Sequence, residues 1–149
     1  MKKEEGVSGD EGMSAGGREV DLPNQNRRIR VVFVDDHPIV RESLVALLQS
    51  EPEIEVVGEC KNGREALDCA ETLKPDVFVM DGNMPVMDGM EATRAIKKRW
   101  PSIKVIGLSM MGEREGGAKM RAAGADGFVS KSGPVDDFVG AIRRCFKQT

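Results

Sequence analysis

The stretch Ile29-Arg30-Val31-Val32-Phe33-Val34-Asp35-Asp36-His37-Pro38 decides the fold. Its first six residues are nearly continuous in apolar, mostly β-branched side chains, which suits a short strand covered on both faces. Two acids end the run, and Pro38 stands where a first-turn proline suits a helix. Helical spacing follows in Val40, Leu44, Leu47 and Leu48.

Working outward, the same unit recurs. Strands are predicted over 29–34, 54–57, 77–80, 104–108 and 127–130, and helices over 39–48, 62–73, 88–99, 113–123 and 135–146. Lys74-Pro75-Asp76, Trp100-Pro101 and Gly124 punctuate them. Five strands alternating with five helices through short loops imply right-handed crossovers and a parallel sheet with helices on both faces. The expected fold is α/β: a doubly wound (βα)5 three-layer sandwich with sheet order 2-1-3-4-5. In such sheets the ligand sits at the carboxyl ends of the strands, near the switch point.

Those ends carry Asp35-Asp36 after strand 1, Asp81 after strand 3, Ser109 after strand 4 and Lys131 after strand 5. The expected order makes these four strands consecutive neighbours, so three carboxylates, a hydroxyl and an ammonium meet in one cleft. Adjacent carboxylates raise one another's pKa unless a cation joins them. A hard divalent ion with oxygen ligands is the expected answer, and Mg²⁺ fits best because it keeps waters beside a few protein oxygens. Such a set suits phosphoryl transfer. Asp81 can attack phosphorus in line, Lys131 can neutralise equatorial oxygens, and Ser109 can hydrogen-bond one of them. A lone aspartate at a strand end is more often a helix cap, and Asp35 or Asp36 could cap helix 1 in that way. For Asp88, within Asp88-Gly89, the cap reading is kept. The coincidence at four strand ends favours a site.

Composition excludes other classes. Residues 1–26 carry three bases and six acids and so hold the whole net charge of −3; the other 123 residues balance at 19 of each. That body has no basic footprint for nucleic acid. No apolar run reaches the roughly 18 residues of a membrane helix, and no apolar core follows Lys2-Lys3 as in a secretory signal. Cys60, Cys69 and Cys145 are too few and wrongly spaced for a disulfide framework and read as reduced thiols, which points to the cytoplasm. A single histidine excludes a multi-histidine metal site. Residues 1–26, with five glycines and no aromatic residue, are expected to be a disordered acidic head, and residues 27–149 the folded domain.

From about Arg28 to Phe146 the chain resembles the receiver domains of bacterial two-component response regulators. The resemblance rests on Val34-Asp35-Asp36-His37-Pro38, Met80-Asp81-Gly82-Asn83-Met84-Pro85-Val86-Met87-Asp88-Gly89, Leu108-Ser109-Met110, Gly124-Ala125-Asp126-Gly127-Phe128 and Ser130-Lys131, all in order. It implies that Asp81 accepts the phosphoryl group from a sensor histidine kinase or a histidine phosphotransfer protein. It further implies Mg²⁺ held by Asp36, Asp81 and the main-chain oxygen of Asn83, with Asp35 acting indirectly. Ser109 and Phe128 would be the switch pair and Lys131 the phosphate-binding lysine. A surface of helix 4, strand 5 and helix 5 would change on phosphorylation and could pair two copies of the chain. The pattern is most similar to the NarL/FixJ-type subfamily, whose members usually carry a C-terminal DNA-binding domain.

The chain ends at Thr149, just after helix 5, and the starting Met and acidic head favour a stand-alone receiver over a fragment. Arg143, Arg144 and Lys147 are expected as favourable charges at a helix C-terminus rather than as a nucleic-acid contact. Gly82 is expected to open one flank of the pocket, and Met110 to occlude another. Gly116-Gly117, each about 1 kcal/mol worse than Ala in a helix, should leave helix 4 frayed before phosphorylation. Ser132 follows Lys131 where many receivers have proline, which leaves the geometry of that bond open. Trp100, at the far end of helix 3, should report little on metal binding. Two other classes compete. A Mg²⁺-dependent phosphohydrolase would need an acid where Asn83 stands, and a phosphorylation-independent interaction module would not need the intact acidic set.

Overall fold

A computed structural model describes residues 27–109 and 113–146. The side chains of Ser109, Glu113, Arg114 and Val135 lie outside that description, as do the expected acidic head, Met110 and Lys147. The chain runs β1 (Ile29–Val34), α1 (Pro38–Gln49), β2 (Ile54–Cys60), α2 (Gly63–Leu73), β3 (Val77–Asp81), α3 (Gly89–Arg99), β4 (Lys104–Ser109), a π-helical turn (Glu113–Gly117), α4 (Ala118–Ala122), β5 (Gly127–Ser130) and α5 (Val135–Phe146). The strands form one parallel sheet in the order β2-β1-β3-β4-β5, as the sequence predicts.

Strand alternation divides the core in two. Val31 and Phe33 of β1 point into a cluster with Val45 and Leu48 of α1 and Phe138, Val139 and Ile142 of α5. Val32 and Val34 point the other way, onto Ala66 and Ala70 of α2, Ala92 and Ile96 of α3 and Met120 of α4. Covering both faces explains why β1 and β3 read as nearly continuous apolar runs. The sheet's amino end is tied by two acids. Asp76 accepts from the main-chain N–H of Arg30 (2.8 Å) and from Arg27 (2.8 Å). Asp126 accepts from the N–H of Val105 (2.9 Å) and from Lys97 (2.9 Å).

Local chemistry sets the helix starts. Asn62 and Asp88 cap α2 and α3, their side chains accepting from the N–H groups of Glu65 and Glu91. Helix α1 starts on Pro38 with His37 as the cap residue and no side-chain cap, so neither Asp35 nor Asp36 serves it in that way. Arg143 of α5 pairs with Glu53 and Glu51 at the turn before β2, which gives it a tertiary role besides its place near a helix C-terminus.

Two expectations change. Strand β2 continues three residues past 57, because a register shift opposite Val31 and Val32 interrupts the alternation that marks a strand. Helix 4 divides into the π-helical turn, which ends at Gly116-Gly117, and only five α-helical residues. The peptide bonds of the described residues are trans, Lys131–Ser132 included.

Candidate functional site: an acidic cleft bridged by a lysine

The carboxyl ends of β1, β3, β4 and β5 bring the expected residues together. Asp35 follows β1 and is fully buried. Its Oδ1 accepts from the main-chain N–H of His37 (2.9 Å), which turns the chain into α1. Asp81 is the last residue of β3 and is 2% exposed. Its Oδ1 accepts from the N–H of Asn83 (3.1 Å). Lys131, one residue beyond β5, reaches back with its Nζ 3.1 Å from Asp81 Oδ2 and 3.0 Å from Asp35 Oδ2, its side chain almost fully buried. Ser109 ends β4 opposite Ser130 of β5.

Three carboxylates face one ammonium in this cleft. Burial holds the Asp81 carboxyl above its ordinary range. The Asn83 N–H lowers it, the Asp35 charge raises it, and Lys131 lowers it again. Asp35 Oδ2 faces the Lys131 ammonium, whereas Asp36 Oδ1 is buried with no hydrogen bond and the His37 ring 3.2 Å away. Three carboxylates against a single ammonium leave this cleft short of positive charge, which calls for a cation. One ligand atom from each of Asp35, Asp36, His37 and Asp81 lies within 4.8 Å of the others, a donor set able to hold a metal ion. Its hard oxygens suit magnesium.

His37 was quoted in the sequence motif without a role. Its Nδ1 lies 3.0 Å from Asp35 Oδ1, 3.2 Å from Asp36 Oδ1 and 3.0 Å from Lys131 Nζ. The signal available was its place directly after the acidic pair. Gly82 does not open the cleft. It is buried, and a Cβ built there would meet the sulfurs of Met120 and Met90 at 3.4 and 3.5 Å. Phe128 is half-buried against the α2–α4 core and lines a cleft of about 290 Å³ with Ser130, Asp136, Asp137 and Arg144.

This fold and acidic cleft define a class, and comparison with known proteins agrees. Residues 31–143 match the response regulator receiver domain. The chain belongs to that family, a family of two-component signalling proteins rather than conventional enzymes. It is 40% identical over 118 residues to the response regulator protein VraR of Staphylococcus saprophyticus, spanning 79% of this chain and 56% of that protein. It is 37% identical over 120 residues to the transcriptional regulatory protein DegU of Brevibacillus brevis, spanning 80% and 50%. The receiver domain of the putative regulator NarL from Mycobacterium tuberculosis superposes with a TM-score of 0.77 at 32% identity, covering 83% of this chain and 99% of that one. The chain thus spans about half the length of the curated relatives it matches. No helix among the described residues is long and apolar enough to cross a membrane.

Proposed function

We propose that the protein is a phosphorylation switch that takes a phosphoryl group onto Asp81 from a phosphohistidine of a sensor histidine kinase or phosphotransfer protein. The observation that carries this reading is the buried Lys131 ammonium bridging Asp35 and Asp81 beside the buried Asp36 Oδ1, which has no hydrogen bond. An Asp81 carboxylate oxygen attacks phosphorus in line. The new O–P bond forms as the P–N bond breaks, and the donor imidazole keeps the electron pair. Lys131 is placed to follow the negative charge as it moves onto the phosphoryl oxygens, and the Asn83 N–H orients the acceptor.

Asp36, Asp81 and the Asn83 carbonyl would hold Mg²⁺, with Asp35 acting indirectly. When bound, the ion supplies charge neutralisation for the three carboxylates and the phosphoryl oxygens. Ser109 donates its hydroxyl to a phosphoryl oxygen, Phe128 repacks, and the surface of α4, β5 and α5 changes. Hydrolysis of the acyl phosphate resets the switch. Output passes through a protein partner or a second copy of the chain, not through nucleic acid bound to this domain. The protein works in the cytoplasm.

The test is incubation with Mg²⁺ and a small phosphodonor such as acetyl phosphate, read by intact mass. One phosphoryl adduct is expected in the native protein and none in Asp81→Asn. An adduct that persists in Asp81→Asn, or none in the native protein under any donor, overturns the assignment.

A further inference from the structure

Outside the acidic cleft the molecule holds a pair of cysteines in contact. Cys60 is the last residue of β2 and 2% exposed; Cys69 lies on α2 and is half-buried. Their Sγ atoms are 3.0 Å apart. The third cysteine, Cys145, packs against the core on the other face of the sheet.

The backbone makes this contact. Ile54 and Val56 of β2 face the α1–α5 side, and strict alternation would send Cys60 the same way. The register shift between Val31 and Val32 adds one residue to β2, and beyond it Cys60 faces the α2 side. Gly58 lets α2 come close: a Cβ there would stand 2.9 Å from Leu73 Cδ1 and 4.0 Å from Cys69 Sγ. A bulge and a glycine together set two thiols side by side.

We infer that Cys60 and Cys69 are a reversible oxidation site, closing to a disulfide when the protein meets hydrogen peroxide. A disulfide needs sulfurs about 2.05 Å apart, so closure requires a movement of about 1 Å between a strand end and a helix already in contact. Cys69, the more accessible of the two, reacts first. Its sulfur attacks the peroxide O–O bond, forming a sulfenic acid and releasing water. The Cys60 sulfur then attacks the Cys69 sulfur. The S–S bond forms, the S–O bond breaks, and hydroxide leaves with the Cys60 proton as a second water. Two thiols give up two electrons and two protons, and one peroxide is reduced to water. A dithiol reverses the link by exchange.

The test uses the full chain exposed to hydrogen peroxide, denatured with N-ethylmaleimide, digested with trypsin and mapped by mass. Cys60 and Cys69 fall in separate tryptic peptides, 42–61 and 65–94, because Lys61 and Arg64 lie between them and the Lys74–Pro75 bond resists trypsin. The expected result is these two peptides joined and short of two hydrogens, separated by dithiothreitol, with Cys145 still carrying its maleimide. In Cys69→Ser, Cys60 keeps its maleimide at the same peroxide dose. In Cys60→Ser, dimedone traps a sulfenic acid on Cys69. Links only between molecules, or Cys69 passing to sulfinic acid while Cys60 stays free, overturn the inference. The native peptide map decides this whether or not either variant folds.

Discussion

Lys131 Nζ lies 3.1 Å from Asp81 Oδ2, although 50 residues separate them, and it holds Asp35 in the same grip. It is the internal counter-ion of the cleft. Removing one partner of a buried ion pair leaves uncompensated charge, which typically costs about 3 kcal/mol or more. Lys131→Met is therefore expected to lower stability by about 3 kcal/mol at neutral pH. Added Mg²⁺ should restore part of that loss. Urea denaturation with and without Mg²⁺ measures both; a variant as stable as the native protein without metal would remove Lys131 from this role.

The Asp81 carboxyl, held above its ordinary range chiefly by burial, binds its proton more tightly in the folded protein than in the unfolded chain. Ionised Asp81 therefore subtracts from stability. The penalty is complete above the folded pKa and gone below the unfolded value of about 3.9. Lys131 keeps Asp35 as its counter-ion in Asp81→Asn, so without divalent cations that variant should be more stable than the native protein at pH 8 by about 1 kcal/mol, or roughly 4 °C in Tm. The gap should close as the pH falls towards about 4. Thermal denaturation in chelator across that range checks the sign; a gap that widens on acidification contradicts it.

The buried oxygen of Asp36 has no hydrogen bond and only the exposed His37 ring beside it, so little metal-free stability depends on its charge. Asp36→Asn should change metal-free stability by less than about 0.5 kcal/mol. Mg²⁺ at a hundred times its Kd should stabilise the native protein by about 2.7 kcal/mol. Most of that gain should vanish in Asp36→Asn. Titration of Tm with Mg²⁺ reads the difference, and an unchanged response would remove Asp36 from the ligand set.

The parts legible in the sequence were those whose causes are local. The apolar runs of β1 and β3, the cap Asp88 and the first-turn Pro38 each carry their reason within a few residues. The cleft was legible because the repeat assigns Asp35, Asp36, Asp81 and Lys131 to strand ends before any contact is known. What was missed depends on distant partners. His37 meets Lys131 across 94 residues. The end of β2 was lost because a bulge against β1 breaks the period of two. The flank at Gly82 is filled by Met90 and Met120, which reach it from α3 and α4.

Helix α4 keeps only Ala118–Ala122 in α geometry after a π-helical turn ending at Gly116-Gly117. Short, glycine-rich and poorly nucleated segments open at low free energy. Amides of residues 115–119 should exchange with solvent faster than those of α2 or α5 in the unphosphorylated protein. Hydrogen exchange read by mass or nuclear magnetic resonance tests this. Protection throughout 115–119 equal to that of α5 would show a rigid helix 4.

Gly89 joins the fold to the cleft most directly. A Cβ at that position would stand 2.1 Å from the carbonyl oxygen of Asp81 and 2.7 Å from the Cα of Gly82. Both are backbone atoms, so no side chain can swing aside. The N–H of Gly89 donates to Gly82 O (3.1 Å), and the N–H of Gly82 donates to Leu108 O of β4 (3.0 Å). Any retreat of the Asp81–Gly82 segment therefore strains the sheet edge that positions the acceptor. Gly89→Ala should lose about 3 kcal/mol and weaken the Mg²⁺ response together. Gly140→Ala on α5 is the contrast. Its Cβ would meet only Arg144 Nη1 at 3.4 Å, and alanine is the better helix former by about 1 kcal/mol, so that variant should gain stability and keep its Mg²⁺ response. Parallel denaturation of the two variants separates a general glycine effect from the close approach at Asp81, and equal behaviour of the pair would refute the approach as the cause.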